Sequence, residues 1–248
     1  GQQARAAAIA QAGGLAAAIS AGLMPAHATV SLSEALVLGL LKQGVSKYLA
    51  IFGHGSTDLG EVLRVYTAAG VTRVFNFRNE VEMAHAGTAL AWAWKEPCAV
   101  VTSIGPGALQ AMSGSLAAAS NGVGVYHIYG DETTHGEGYN MQQIPKQQQH
   151  LYGQMGALMG QSYVLHTPAA LRDALRRGTQ CVHHPHKAGP FYLLLPLNTQ
   201  PALLEGFNLE ALPERLQVAP AAVGDSGSLA RAASLLRRHA RVAFKVGG

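Results

Sequence analysis

Several short runs of this sequence are apolar at almost every position and alternate with stretches that have helical spacing, and this alternation limits the fold more than any other feature. YLAIFG (48–53), VTRVFNF (71–77), CAVVTS (98–103), VGVYHIYG (123–130) and FYLLLP (191–196) read as strands. A strand with one solvated face alternates apolar and polar residues, whereas a run that is apolar throughout is covered on both sides. The intervening stretches read as helices: SLSEALVLGLLKQ (31–43), opened by Ser31 and Glu34 as a capping box, STDLGEVLRVYTAAG (56–70), NEVEMAHAGTALAWAWK (79–95) with Asn79 as its cap, PGALQAMSGSLAAAS (106–120) with Pro106 in its first turn, and a helix entered at Thr167. The fold class expected is α/β, a parallel sheet covered by helices on both faces.

The ends of the chain read differently. Residues 1–30 are rich in Ala and Gly, far less apolar than a secretory leader, and are expected to form an amphipathic helical arm. Residues 31–200 carry the α/β pattern, 131–163 being polar and loop-like. Residues 201–227 look like a linker, and 228–248 like the helix and first strand of a further domain whose remainder is absent. An apolar strand with no cover cannot close a domain.

Composition excludes some classes. The net charge of +4 comes from cations spread thinly, with no basic run longer than a pair, unlike a nucleic-acid footprint. No window is apolar enough to span a membrane. Cys98 and Cys181 have neither disulfide-framework nor zinc spacing, which favours a reducing compartment, the cytoplasm. GHGSTDLG (53–60) follows a strand and opens a helix as a dinucleotide fingerprint would, but Asp58 takes the place of the third glycine and would repel an anion. No phosphate-loop motif occurs. HHPH (183–186), near Cys181, lacks a second ligand group at metal spacing, so no metal ligands are assigned in this chain. His135 and Glu137 lie in a Gly-rich stretch expected to act as a lid.

FNFRNEVEMAHAG (75–87) places Glu80 after an apolar run and at a helix start, where the macrodipole favours a carboxylate. A carboxyl backed in this way is suited to sharing a proton, the other reading being a solvent-exposed helix glutamate. His54 can act as an acid or base near neutral pH, or be a plain loop histidine. Ala84, Gly87 and Ala91 form a small-residue stripe that admits a second helix, in the same subunit or in another.

FGHGS (52–56), RNEVEMAHAGTALAWA (78–93), VTSIGPGALQAMSGSLAAAS (101–120), IYGDE (128–132) and GPFYLLLPLNTQP (189–201) together resemble, in order and spacing, the N-terminal pyrimidine-binding domain of thiamine diphosphate-dependent enzymes of the acetolactate synthase and 2-oxoacid decarboxylase type. FGHGS and RNE with MAHA are loosely closest to the trihydroxycyclohexanedione hydrolases of inositol breakdown. The resemblance implies that Glu80 pairs with N1′ of the aminopyrimidine ring, which lets the ring's 4′ nitrogen take a proton from the thiazolium. It implies cofactor contacts from Gly53, Gly55, Ser56, Thr102, Gly105, Pro106, Gly107 and Gln110, with Glu80 and His54 catalytic. Gln110 stands where the family usually has Asn, His54 replaces the family's Tyr-Pro or Asn-Pro, and Asp131 replaces a Gln of the synthases.

The resemblance further implies a lyase or transferase acting next to a carbonyl, a hydrolase of a cyclic 1,2-diketone, or a non-catalytic subunit of such an assembly. Mg²⁺ is expected on a diphosphate-binding segment outside this chain, supplied by a homo-oligomer (a dimer or tetramer) or a complementary subunit. Whether FAD binds is not fixed by this sequence. The remaining partner expected is a small carbonyl substrate, with no nucleic acid and no membrane.

Overall fold

A computed structural model of the protein describes residues 1–136, 148–217 and 223–245. The five runs and one further segment, β6, form a six-stranded sheet, all parallel: β2 (Lys47–Ile51), β3 (Arg73–Asn76), β4 (Cys98–Thr102), β5 (Tyr126–Asp131), β6 (Gln161–Val164) and β7 (Phe191–Pro196), in the order β3-β2-β4-β5-β7-β6. Because side chains alternate along a strand, each central strand feeds two separate cores. Tyr48, Ala50, Ala99, Val101, Tyr126, Ile128, Phe191 and Leu193 pack with α1 (Gln2–Ala12), α2 (Leu15–Ser20), α3 (Leu32–Lys42), α4 (Thr57–Ala68) and α9 (Leu171–Val182). Leu49, Cys98, Val100, Tyr129, Tyr192 and Leu194 pack with α5 (Glu80–Ala93), α6 (Pro106–Gly114), α7 (Leu116–Asn121) and α8 (Leu151–Met159). The unbroken apolar character of the strands follows from those two cores.

Several elements differ from the expectation. The single helix over 106–120 is two, α6 and α7, which meet at Ser115. There the hydroxyl bonds the Met112 carbonyl at 2.6 Å and the Tyr192 hydroxyl at 2.6 Å, an alternative to continuing the helix. The stretch read as loop holds α8 and edge strand β6, whose four residues are all partly exposed and lack an apolar signal. Residues 27–31 and part of the expected linker pair instead as an antiparallel ribbon, β1 (His27–Ser31) with β8 (Leu203–Asn208). Val30 is the one buried residue in β1 and β8 has none, so neither carries the buried pattern of the central strands.

Ahead of β1 the chain forms two helices, α1 and α2, parted at Gly13, whose φ of +77° suits glycine. Ala6, Ile9, Leu15 and Ala18 are buried in the first core. Arg5 donates two hydrogen bonds to Glu34, at 2.8 and 2.6 Å, and the Tyr66 hydroxyl donates a third at 2.8 Å. The capping box is therefore half formed: Ser31 accepts from the Glu34 amide, while the Glu34 carboxylate turns to Arg5 and Tyr66.

The chain divides into two units, Gly1–Leu216 and Gln217–Gly248. In the second, α10 (Ser226–Arg237) begins at Asp225, whose carboxylate accepts from Ser228 at 2.7 Å. The strand expected after it is not formed over residues 241–245. A strand needs a hydrogen-bonding neighbour, and the described residues of this unit hold none.

Candidate active site

Strand order locates the site. The chain leaves β2 through α4 toward β3 at one edge, and leaves β4 through α6 and α7 in the opposite direction toward β5. The loops after the adjacent strands β2 and β4 therefore diverge, and in open α/β sheets ligands bind in the crevice this opens at the carboxyl ends of the strands. Ile51 lies beside Thr102 in the register, and the Ile104 amide bonds the His54 carbonyl at 3.0 Å. FGHGS and SIGPG are thus neighbours.

Glu80 reaches the same edge from β3. Phe77 continues the ladder to Ala50, and Asn79 then caps α5, its side-chain oxygen accepting from Val81 at 2.9 Å and Glu82 at 3.1 Å. Glu80 is half-buried in the first turn and makes no hydrogen bond or ion pair with a described residue. A Cβ added at Gly107, in the first turn of α6, would lie 3.2 Å from Glu80 Oε1 and 2.7 Å from Ser103 Oγ. The carboxylate is therefore beside the start of α6, and glycine is what keeps room there.

Glycine also governs the neighbouring loop. A Cβ on Gly53 would meet Ser103 Cβ at 2.9 Å, and one on Gly55, at φ +85°, would meet Ile104 at 2.2 Å. Ser56 is buried, and its hydroxyl accepts from the Gly53 amide and donates to the Gly53 carbonyl, closing the loop on itself. Thr102 is likewise buried and donates to the Ser103 carbonyl. These two hydroxyls shape loops rather than point a free donor at a ligand. Gly105 (φ +60°) turns the chain into α6, where Pro106 is the first residue and exposed, and Gln110 is exposed. Ser103, which joins Gly53 to Gly107, was not singled out in the sequence. Its only signal there was its place between the strand and the glycines.

Two acids end β5. Asp131 is buried, and one of its carboxylate oxygens accepts from the Glu132 amide at 2.9 Å. Glu132, also buried and not assigned a role from sequence, places Oε1 3.3 Å from His54 Nε2. Burial, together with the charges of Asp131 and Glu132, pushes the phenol of Tyr152 on α8 up from its ordinary range.

Other candidates fall elsewhere. The stripe packs inside the subunit: Ala84 against Gly114 of α6, and Gly87 against Val100, Val125 and Cys98. His184 of HHPH accepts from the amides of His186 and Lys187, and among the described residues no group of three or more His, Cys, Asp or Glu is placed to hold a metal. His135 is exposed, while Glu137 lies outside the described residues. No helix among those residues is long and apolar enough to cross a membrane.

Residues 30–151 match the family model described as thiamine pyrophosphate enzyme, N-terminal TPP binding domain. The match contains the loops after β2, β3 and β4 and the end of β5. No curated protein matches the chain.

Proposed function

Since residues 30–151 belong to the N-terminal TPP-binding domain family of thiamine pyrophosphate enzymes, we propose that this chain makes or breaks a carbon–carbon bond next to a carbonyl, with Glu80 set against N1′ of the cofactor's aminopyrimidine ring. The observation that carries this reading is the Glu80 carboxylate, without a partner among the described residues and beside a glycine whose Cβ would crowd it. The residues fit such a ring: an unpaired carboxyl can hold and return a proton at a ring nitrogen, and Gly53, Gly55 and Gly107 keep side chains out of its way. Thiamine diphosphate, when bound, supplies an electron sink for the carbon next to the carbonyl. Asn79 fixes the turn that aims Glu80, and the closed Gly53–Ser56 loop forms the opposite wall.

The reaction proposed is that of a lyase or transferase acting on a 2-oxo acid. The pairing of His54 with Glu132 favours a second reading, hydrolytic opening of a cyclic 1,2-diketone, because a histidine beside a carboxylate can manage the proton of an attacking water. The diphosphate and its Mg²⁺, which takes oxygen ligands, are assigned to a diphosphate-binding domain supplied within a homo-oligomer or by a complementary subunit. Trp92, Trp94, Leu109 and Leu116, exposed on or next to α5, α6 and α7, support a partner covering that side.

In the assembled enzyme loaded with thiamine diphosphate and Mg²⁺, Glu80→Gln is expected to lower turnover of pyruvate or of a cyclic 1,2-diketone by about 100-fold or more, with the circular dichroism spectrum unchanged. Undiminished turnover would remove Glu80 from the chemistry.

A further inference from the structure

His54 and Glu132 form a pair that the Glu80 chemistry does not require. His54 follows β2 and Glu132 follows β5, with β4 between those strands, so the pair bridges the carboxyl edge of the sheet. Close backbone contact brings them together: a Cβ on Gly130 would lie 2.6 Å from the Gly55 carbonyl oxygen, so the loop after β2 rests directly on the end of β5. His54 Nε2 and Glu132 Oε1 are 3.3 Å apart, both atoms are shut off from solvent, and neither has a hydrogen-bond partner among the described residues. Their separation suits a bond that their alignment does not yet complete, a common state of catalytic contacts before substrate arrives. A carboxylate oxygen left unpaired in the interior is unfavourable, and the His54 ring is the group placed to satisfy this one.

We propose that Glu132 is a positioning residue: its Oε1 takes the Nε2–H of His54, fixes that tautomer and leaves Nδ1 as the acceptor offered to substrate. Nδ1 makes no hydrogen bond with a described residue, as this role requires. The inference rests on the reading that the crevice receives a carbonyl substrate. Asp131 adjoins Glu132 in sequence, and the charges of both acids reach the Tyr152 phenol on α8, while Asp58 stands at the start of α4. Among the described residues, no donor other than the His54 ring is placed within reach of Glu132 Oε1.

The test is ¹⁵N–¹H correlation of the histidine rings in the full chain, recorded where His54 is neutral, with His54→Gln to identify its signals. The wild-type ring should show one tautomer, protonated at Nε2. Glu132→Gln, whose amide oxygen still accepts, should keep that tautomer but move the Nε2–H proton upfield. Glu132→Leu should collapse the two nitrogen resonances toward a tautomer average. A wild-type ring that is averaged or protonated at Nδ1, or an Nε2–H signal that stays in place in Glu132→Gln, would overturn the proposal. Should Glu132→Leu not fold, the wild type and Glu132→Gln decide it alone. None of these spectra depends on bound cofactor, so failure here and failure of the Glu80 test are separate results.

Discussion

Glu34 and Glu80 both stand in the first turn of a helix behind a polar cap, Ser31 in one case and Asn79 in the other. Their surroundings are opposite. Glu34 is 3% exposed and accepts three hydrogen bonds, two from Arg5 and one from Tyr66. Glu80 is half-buried and accepts none from a described residue. A carboxylate that the fold uses for itself has its lone pairs filled, whereas one kept for a ligand is capped from behind and left open in front. Residue type and helix position do not reveal this contrast, and the role proposed for Glu80 rests on it.

The largest effect that would sharpen this contrast comes from Arg5→Met. It leaves the Glu34 carboxylate buried with only the Tyr66 hydroxyl, and urea unfolding at neutral pH should show a loss of about 3–5 kcal/mol. A loss under about 1 kcal/mol would mean that the arm's ion pair behaves as a surface pair, and the contrast would weaken.

The same measurement must be made near neutral pH because of His127. This ring is fully buried, and burial lowers its pKa from 6.5 to about 3. Between those values the unfolded chain binds a proton that the folded chain refuses, so stability is full above about pH 6.5 and falls as pH drops toward 3. From pH 6.5 to 5 the loss from His127 should be about 2 kcal/mol at 1.36 kcal/mol per unit, and His183, lowered to about 4 chiefly by burial, adds in the same direction. His127→Phe should flatten the slope over that range. An unchanged slope would place the acid sensitivity elsewhere.

Smaller still is Asn79→Ala. It removes the side-chain acceptor for two amides at the start of α5, and thermal unfolding should report a cost of about 1 kcal/mol. The smallest effect is that of Glu80→Gln on stability, which chemical denaturation should place within about 0.5 kcal/mol of wild type. A drop comparable to that of Arg5→Met would show Glu80 to be a second Glu34, and would break the comparison outright.

What the sequence made legible follows burial. The central strands were readable because two cores demand apolar residues at every position, and the FGHGS, RNE and IGPG segments were readable because close backbone contacts require glycine and a helix start favours Asn followed by Glu. β1, β6 and β8 escaped because an exposed or edge strand owes its existence to a partner, and nothing within LLEGFN names HATVS as that partner. Glu132 escaped for a related reason: its significance lies in a histidine 78 residues away in the sequence. The sequence does not state which of two helix-start glutamates an arginine from another helix will neutralise.

The ribbon of β1 with β8 has a consequence in time. Leu32 bonds Ala202, Ser33 bonds Gln200 and Leu209 bonds Ala26, so the entry to α3 is tied to a segment made some 170 residues later. During synthesis the early helices must wait on the ribosome with that edge unsatisfied until residue 209 has emerged. Anything that delays the late segment leaves the newborn arm open to the wrong neighbours.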